Sequence, residues 1–234
     1  MSIISHRVQK MKPSPTLAVT AKANELKAQG KKIISLSVGE PDFDTPIQAK
    51  QGGIDAINAG KTKYTAVDGT PELKKAIIAK FKNENEIEYD ASEITVGCGA
   101  KHVLFNAFLA TINDGDEVII PAPYWVSYPD MVELFGGKAV IVKTTFENSF
   151  KLTAQDLKNA ITPRTKWVIL NSPSNPTGEV YTKEELIAIG NVVEKNPHVY
   201  VMSDDIYEHL VFGVKFYTLA QLFPNLQHRI LLVK

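Results

Sequence analysis

Cysteine is nearly absent from this chain. Cys98 is the only one, which excludes an internal disulfide framework and fits a reducing compartment. Net charge is absent too: 26 basic side chains match 26 acidic ones, leaving no electrostatic footprint for nucleic acid or an anionic membrane. No apolar run approaches the ~20 residues of a bilayer-spanning helix. The opening MSIISHRVQKMK is too polar for a secretory leader. Internal repeats, low-complexity tracts and Pro/Gly/Ser-rich linkers are also lacking. What remains is a neutral chain of 234 residues, enough for one large domain or a domain and part of another. The expectation is a soluble cytoplasmic protein that binds neither nucleic acid nor membrane.

Apolar patterning then supplies the elements. Residues 167–170 form a continuous apolar run that leads into Asn171-Ser172-Pro173-Ser174-Asn175-Pro176-Thr177-Gly178. Such a run, bounded by turn formers, suits a central parallel strand covered on both faces. Further strands are expected at 33–37, 93–96, 118–120, 139–142, 198–202 and 230–233. Thr45-Pro46 and Thr70-Pro71 read as helix N-caps followed by proline at the first helical position. Thr153 with Asp156 caps a short helix, and Thr182 with Glu185 makes a capping box. Helices are also expected at 100–110, 128–135 and 186–193. Strand and helix alternate, so the fold class is α/β: a mostly parallel sheet with helices on both faces. An N-terminal arm with a first strand region (1–44) gives way near Phe43 to a large α/β domain (45–234).

Ligands of open parallel sheets bind where loops leave the carboxyl ends of strands. Four loops qualify. Gly97-Cys98-Gly99-Ala100-Lys101 precedes a helix, so its free N–H groups suit a phosphate, although a plain turn has the same pattern. It fails as a dinucleotide fingerprint because His102 stands where a third glycine is needed, and a methyltransferase loop lacks its acidic partner. Pro123-Tyr124-Trp125 offers a flat face for stacking a planar ring, or a buried core tryptophan. The Asn175 loop is stiffened by Pro173 and Pro176. Met202-Ser203-Asp204-Asp205-Ile206-Tyr207 presents carboxylate and phenol together, and a buried carboxylate there needs a cationic partner. Asp204, Asp205, Glu208 and His209 also read as a possible metal cluster, the weaker case because the other histidines are scattered.

Ser37-Val38-Gly39-Glu40-Pro41-Asp42-Phe43, Lys63-Tyr64, Gly99-Ala100-Lys101, the run from Pro123 to Tyr128, Asn175-Pro176-Thr177-Gly178 and Ser203-Asp204-Asp205-Ile206-Tyr207 occur in that order. Together they resemble the fold-type-I, class I pyridoxal-phosphate aminotransferases, especially the bacterial aspartate/prephenate branch. The resemblance implies pyridoxal 5′-phosphate as cofactor and Asp204 as partner of its protonated ring nitrogen. It implies Tyr207 and Asn175 at the ring's 3-oxygen, Trp125 on the ring face, and Gly99, Ala100 and Lys101 around the phosphate. Tyr64 would reach the phosphate of a neighbouring subunit, which implies a homodimer. Gly39, Trp125, Asn175 and, for a distal carboxylate, Lys12 would meet the substrate.

One departure matters. The family's cofactor-linking lysine follows the strand that corresponds to 230–233, in a Ser-Lys motif this chain does not contain. Lys234 stands where the family has Asn, so the catalytic role is not carried onto it, and the C-terminal small domain is expected to be missing. The reading is amino transfer between aspartate or glutamate and a 2-oxo acid, prephenate among the candidates, present as an N-terminal portion. A C–S lyase or decarboxylase on the same scaffold, or a non-catalytic fragment, are the alternatives.

Overall fold

The computed structural model describes residues 2–11, 15–37 and 39–234, with the side chains of Pro15 and Thr16 set aside. Contacts group the chain into two units, Met11–Val67 and a larger one of Met1–Lys10 with Asp68–Lys234. The sequence change near residue 44 falls inside the smaller unit. A single turn, α1 (His6–Gln9), belongs to the larger unit. The smaller unit carries α2 (Pro15–Ala28) and α3 (Ile47–Asn58).

Two expectations fail in the smaller unit. Residues 33–37 form no strand, and Ile34 and Leu36 are exposed; a β-prone stretch with no neighbour to pair with has nothing to hold it extended. Thr45 does not cap α3, whose N-cap is Pro46 with no side-chain hydrogen bond.

The larger unit runs α4 (Pro71–Asn85), α5 (Ala100–Thr111), β1 (Glu117–Ala122), α6 (Ser127–Leu134), β2 (Lys138–Lys143), α7 (Ala154–Ala160), β3 (Thr165–Asn171), α8 (Lys183–Glu194), β4 (Tyr200–Asp204), α9 (Leu219–Leu222) and β5 (Ile230–Val233). Caps act as their sequences predict. Thr70 accepts from the Leu73 N–H with Pro71 in the first turn, and Thr153/Asp156 and Thr182/Glu185 form reciprocal capping boxes.

The five strands make one sheet in the order β2-β1-β3-β4-β5, and every ladder is parallel. Alternation along each strand divides the core into two layers. Ile119, Val168, Leu170 and Val201 pack with Leu157, Leu186, Ile189, Val193 and Phe223 of α7, α8 and the segment after α9. Val118, Ile120, Trp167, Ile169 and Met202 pack with Leu104, Phe108, Met131 and Val132 of α5 and α6. Pro121 lies within β1 but beyond Ile119, where the β1–β3 ladder ends, so its missing N–H leaves no gap in that ladder. Among the described residues no helix is long and apolar enough to cross a membrane.

The strand expected at 93–96 is absent. Residues Ala91–Glu93 form a short 3-10 turn, Ile94 continues extended, and the Val96 N–H donates to the Asp68 carbonyl at 3.0 Å. The segment has strand-like composition, but no described strand lies alongside to form a ladder.

At the amino end of β1, Glu117 is 1% exposed. It accepts from Thr162 Oγ1 at 2.6 Å and Arg164 at 3.0 Å, and Lys138 lies 3.1 Å away. These contacts, Thr162 and Arg164 foremost, hold its carboxyl down at about 2. A depressed carboxyl contributes stability above the ordinary glutamate range that is lost as pH falls towards 2. Both cations are largely exposed, so screening reduces the effect. Glu117→Gln is expected to cost about 2 kcal/mol at pH 7, with the gap to the parent narrowing at pH 3. Urea midpoints at the two pH values measure it.

Candidate functional site

The strand order reverses between β1 and β3, and the loops leaving the carboxyl ends on that side surround a cavity of about 160 Å³. Ala100, Lys101, Trp125, Tyr128, Asn171, Asn175, Asp204 and Tyr207 line it, with Leu104 and Ile206.

At one side, Gly99 N-caps α5 with φ 87°, a left-handed conformation that favours glycine. A Cβ there would meet nothing, so the backbone leaves open space at the start of the helix. The first-turn N–H groups of α5 and the Lys101 ammonium give this end a positive character. The ammonium lies 4.8 Å from the centroid of the Trp125 ring.

Asp204 ends β4 at the opposite side and is 4% exposed. Tyr128 Oη donates to Asp204 Oδ2 at 2.5 Å, and the Ile206 N–H reaches Oδ1 at 3.4 Å. Burial raises the Asp204 carboxyl above the usual aspartate range, and these two donors only partly offset it. Among the described residues no cation lies within ion-pair distance of it. The same burial, with the neighbouring Asp204 charge, pushes the Tyr128 phenol well above the tyrosine range, so the hydroxyl stays a donor.

Asn171, at the end of β3, knits the third loop to β4. Its Nδ2 donates to the Asp204 carbonyl at 2.8 Å, and its Oδ1 accepts from the Asn175 N–H at 2.7 Å. Asn175 Nδ2 in turn faces Tyr207 Oη at 3.5 Å. An amide and a phenol thus converge beside the carboxylate, and Trp125 packs edge-on to Tyr128 with centroids 5.3 Å apart.

The cavity therefore gathers Ala100, Lys101, Trp125, Asn175, Asp204 and Tyr207 with the Gly99 turn beside them. Gly39 and Tyr64 belong to the smaller unit, where both are exposed. Lys12 lies outside the described residues. The four-residue metal reading does not assemble. Asp204 is held by Tyr128, while Glu208 turns to Lys80, Lys234 and Asn85. Of those four, only Glu208 and His209 come together, with Glu84. Burial raises the Glu208 carboxyl, but the lysine and asparagine hydrogen bonds prevail and hold it below the usual range. Burial pushes Asp205 up to about 6, against Lys234 at 3.9 Å and a bond from Ser203.

Tyr128 and Asn171 were assigned no role from the sequence. Tyr128 lies in the aromatic motif one turn after Trp125, a spacing that returns it to the strand ends; Asn171 is the last residue of β3.

Residues 31–233 match the family described as aminotransferase class I and II. The chain is 56% identical over 232 residues to a probable aspartate/prephenate aminotransferase of Rhizobium leguminosarum, covering 99% of itself and 58% of that protein. It is 57% identical to the aspartate/prephenate aminotransferase of Cereibacter sphaeroides, again covering 99% of itself and 58% of the relative. The aspartate aminotransferase of Rhizobium meliloti superposes with a TM-score of 0.95 at 49% identity, over 98% of this chain and 58% of that one. The Thermus thermophilus enzyme with maleate gives 0.94 at 45% identity, over 99% of this chain and 60% of that one. The chain thus spans less than two thirds of the length of these relatives, and it belongs to the class I and II aminotransferase family.

Proposed function

We propose that the cavity binds pyridoxal 5′-phosphate and that the whole protein moves amino groups between aspartate or glutamate and a 2-oxo acid. The observation that carries this reading is Asp204: a buried carboxylate with no cationic partner among the described residues, at the floor of a cavity flanked by an aromatic face. A protonated ring nitrogen is the cation that such a group lacks. When bound, the cofactor supplies an electron sink for the negative charge left at the substrate Cα.

The chain's own residues divide the tasks in this reading. Gly99, Ala100 and Lys101 hold a phosphate at the start of α5. Trp125 stacks on the ring and limits its access to water. Asn175 and Tyr207 hydrogen-bond the ring's 3-oxygen, held in register by Asn171. Asp204 keeps the ring nitrogen protonated.

Amino acid and oxo-acid recognition goes to Gly39, Trp125, Asn175 and Lys12, and Tyr64 to the phosphate of a second subunit in a cytoplasmic homodimer. Support for the dimer is the complete exposure of the Tyr64 side chain and the resemblance. Prephenate as an acceptor rests on the names of the relatives.

Titration calorimetry with pyridoxamine 5′-phosphate tests the cofactor assignment. Micromolar binding is expected, with pyridoxamine lacking the phosphate weaker by about 100-fold. Equal affinity for the two would remove the phosphate role from the α5 end.

A further inference from the structure

The contacts of Tyr128 go beyond packing. We propose that Tyr128 is a positioning residue that orients the Asp204 carboxylate and keeps it ionised for a protonated heteroaromatic nitrogen; this rests on the cofactor reading above. Its hydroxyl lies 2.5 Å from Asp204 Oδ2. An ionised carboxylate only accepts, so the phenol is the donor. The side chain is 2% exposed and set among Leu104, Phe108, Met131 and Val132. Its ring is fixed edge-on to Trp125 at an interplanar angle of 84°. Among the described residues the hydroxyl has one hydrogen-bond partner, at the wall of the cavity. A phenylalanine would fill the same apolar space, so packing does not account for the oxygen.

The charged and titratable groups around Asp204 leave this task to Tyr128. From α5, Lys101 lines the same cavity but lies over Trp125. From its own segment, Asp205 adds like charge and turns to Ser203 and Lys234, while Tyr207 faces Asn175. Among the described residues the other donor to the Asp204 side chain is the Ile206 N–H at 3.4 Å. Burial favours the neutral acid, and the Tyr128 bond opposes it. Without the phenol, Asp204 takes up a proton at higher pH and loses its fixed rotamer.

Tyr128→Phe retains the ring and removes only the oxygen. In the ligand-free chain, the Asp204 carboxyl followed by carbon NMR is expected to titrate at higher pH in this variant. Replacing Tyr128 with 3-fluorotyrosine strengthens the donor and is expected to move the titration the other way with the fold untouched. Pyridoxamine 5′-phosphate is expected to bind Tyr128→Phe about ten-fold more weakly at neutral pH, the deficit growing as pH falls. In an Asp204→Asn background the same change is expected to alter affinity by less than about two-fold. An unchanged carboxyl titration, or an equal loss with and without Asp204, overturns the proposal. If pyridoxamine 5′-phosphate fails to bind the parent chain, the cofactor reading falls, and the ligand-free titration still decides the role of Tyr128.

Discussion

Asp204→Ala is expected to weaken pyridoxamine 5′-phosphate binding by about 100- to 1,000-fold, and to abolish most amino transfer in the whole protein. Removing one member of a buried charge pair costs about 3–5 kcal/mol, because the other charge is left without compensation. Here the loss is compounded, since the Tyr128 hydroxyl, 2.5 Å from the carboxylate, would also be left without an acceptor. Tyr207→Phe makes the contrast. It removes one hydroxyl that faces Asn175 at 3.5 Å, and one hydrogen bond contributes roughly 0.5–1.5 kcal/mol, a factor of about 2 to 12. Calorimetric affinities for the two variants, measured side by side, check the ranking. Affinity of Asp204→Ala equal to that of the parent would show that the carboxylate does not meet the ring nitrogen.

Lys234 is expected to form no specific covalent adduct with pyridoxal 5′-phosphate. The amine is engaged elsewhere. It pairs with Glu208, lies 3.9 Å from Asp205, and sits between the Phe81 and Phe216 rings at 5.6 and 5.3 Å. It is not among the residues that line the Asp204 cavity. Attack on an aldehyde requires a neutral, aimed amine, and a displacement of about 1 Å can cost ~100-fold in rate. Reduction with borohydride followed by peptide mass spectrometry reads the outcome directly. A single labelled site at Lys234 would prove this wrong; scattered labelling of exposed lysines is the expected pattern.

Much of the fold was legible because local chemistry and global packing agree. The apolar runs at 118–120, 167–170 and 230–233 became β1, β3 and β5, and the capping pairs at Thr153 and Thr182 became the starts of α7 and α8. The segments 33–37 and 93–96 were misread for a common reason. Their residues suit strands, but ladder formation depends on a neighbour that composition does not reveal. The candidate site shows the same division. Asp204 ends a strand and Asn175 stands in the loop after one, and both positions are visible in the sequence. Tyr128 is not so visible: its approach to Asp204 spans 76 positions, a contact between an α6 side chain and the end of β4 that only the packed sheet creates.

The strand order carries a kinetic consequence. Every ladder is parallel, so no two neighbours in the sheet can pair through a tight turn. β1 starts at Glu117 and its partner β3 at Thr165, with α6, β2 and α7 between them. On the ribosome, β1 and β2 emerge first and expose the inner edge of β1 until β3 has been made and inserted. Folding of this sheet is therefore governed by long loop closures, which are slow compared with hairpin formation. β1 is thus the strand that waits longest with an open edge, and crowding at that stage favours pairing between chains over pairing within one.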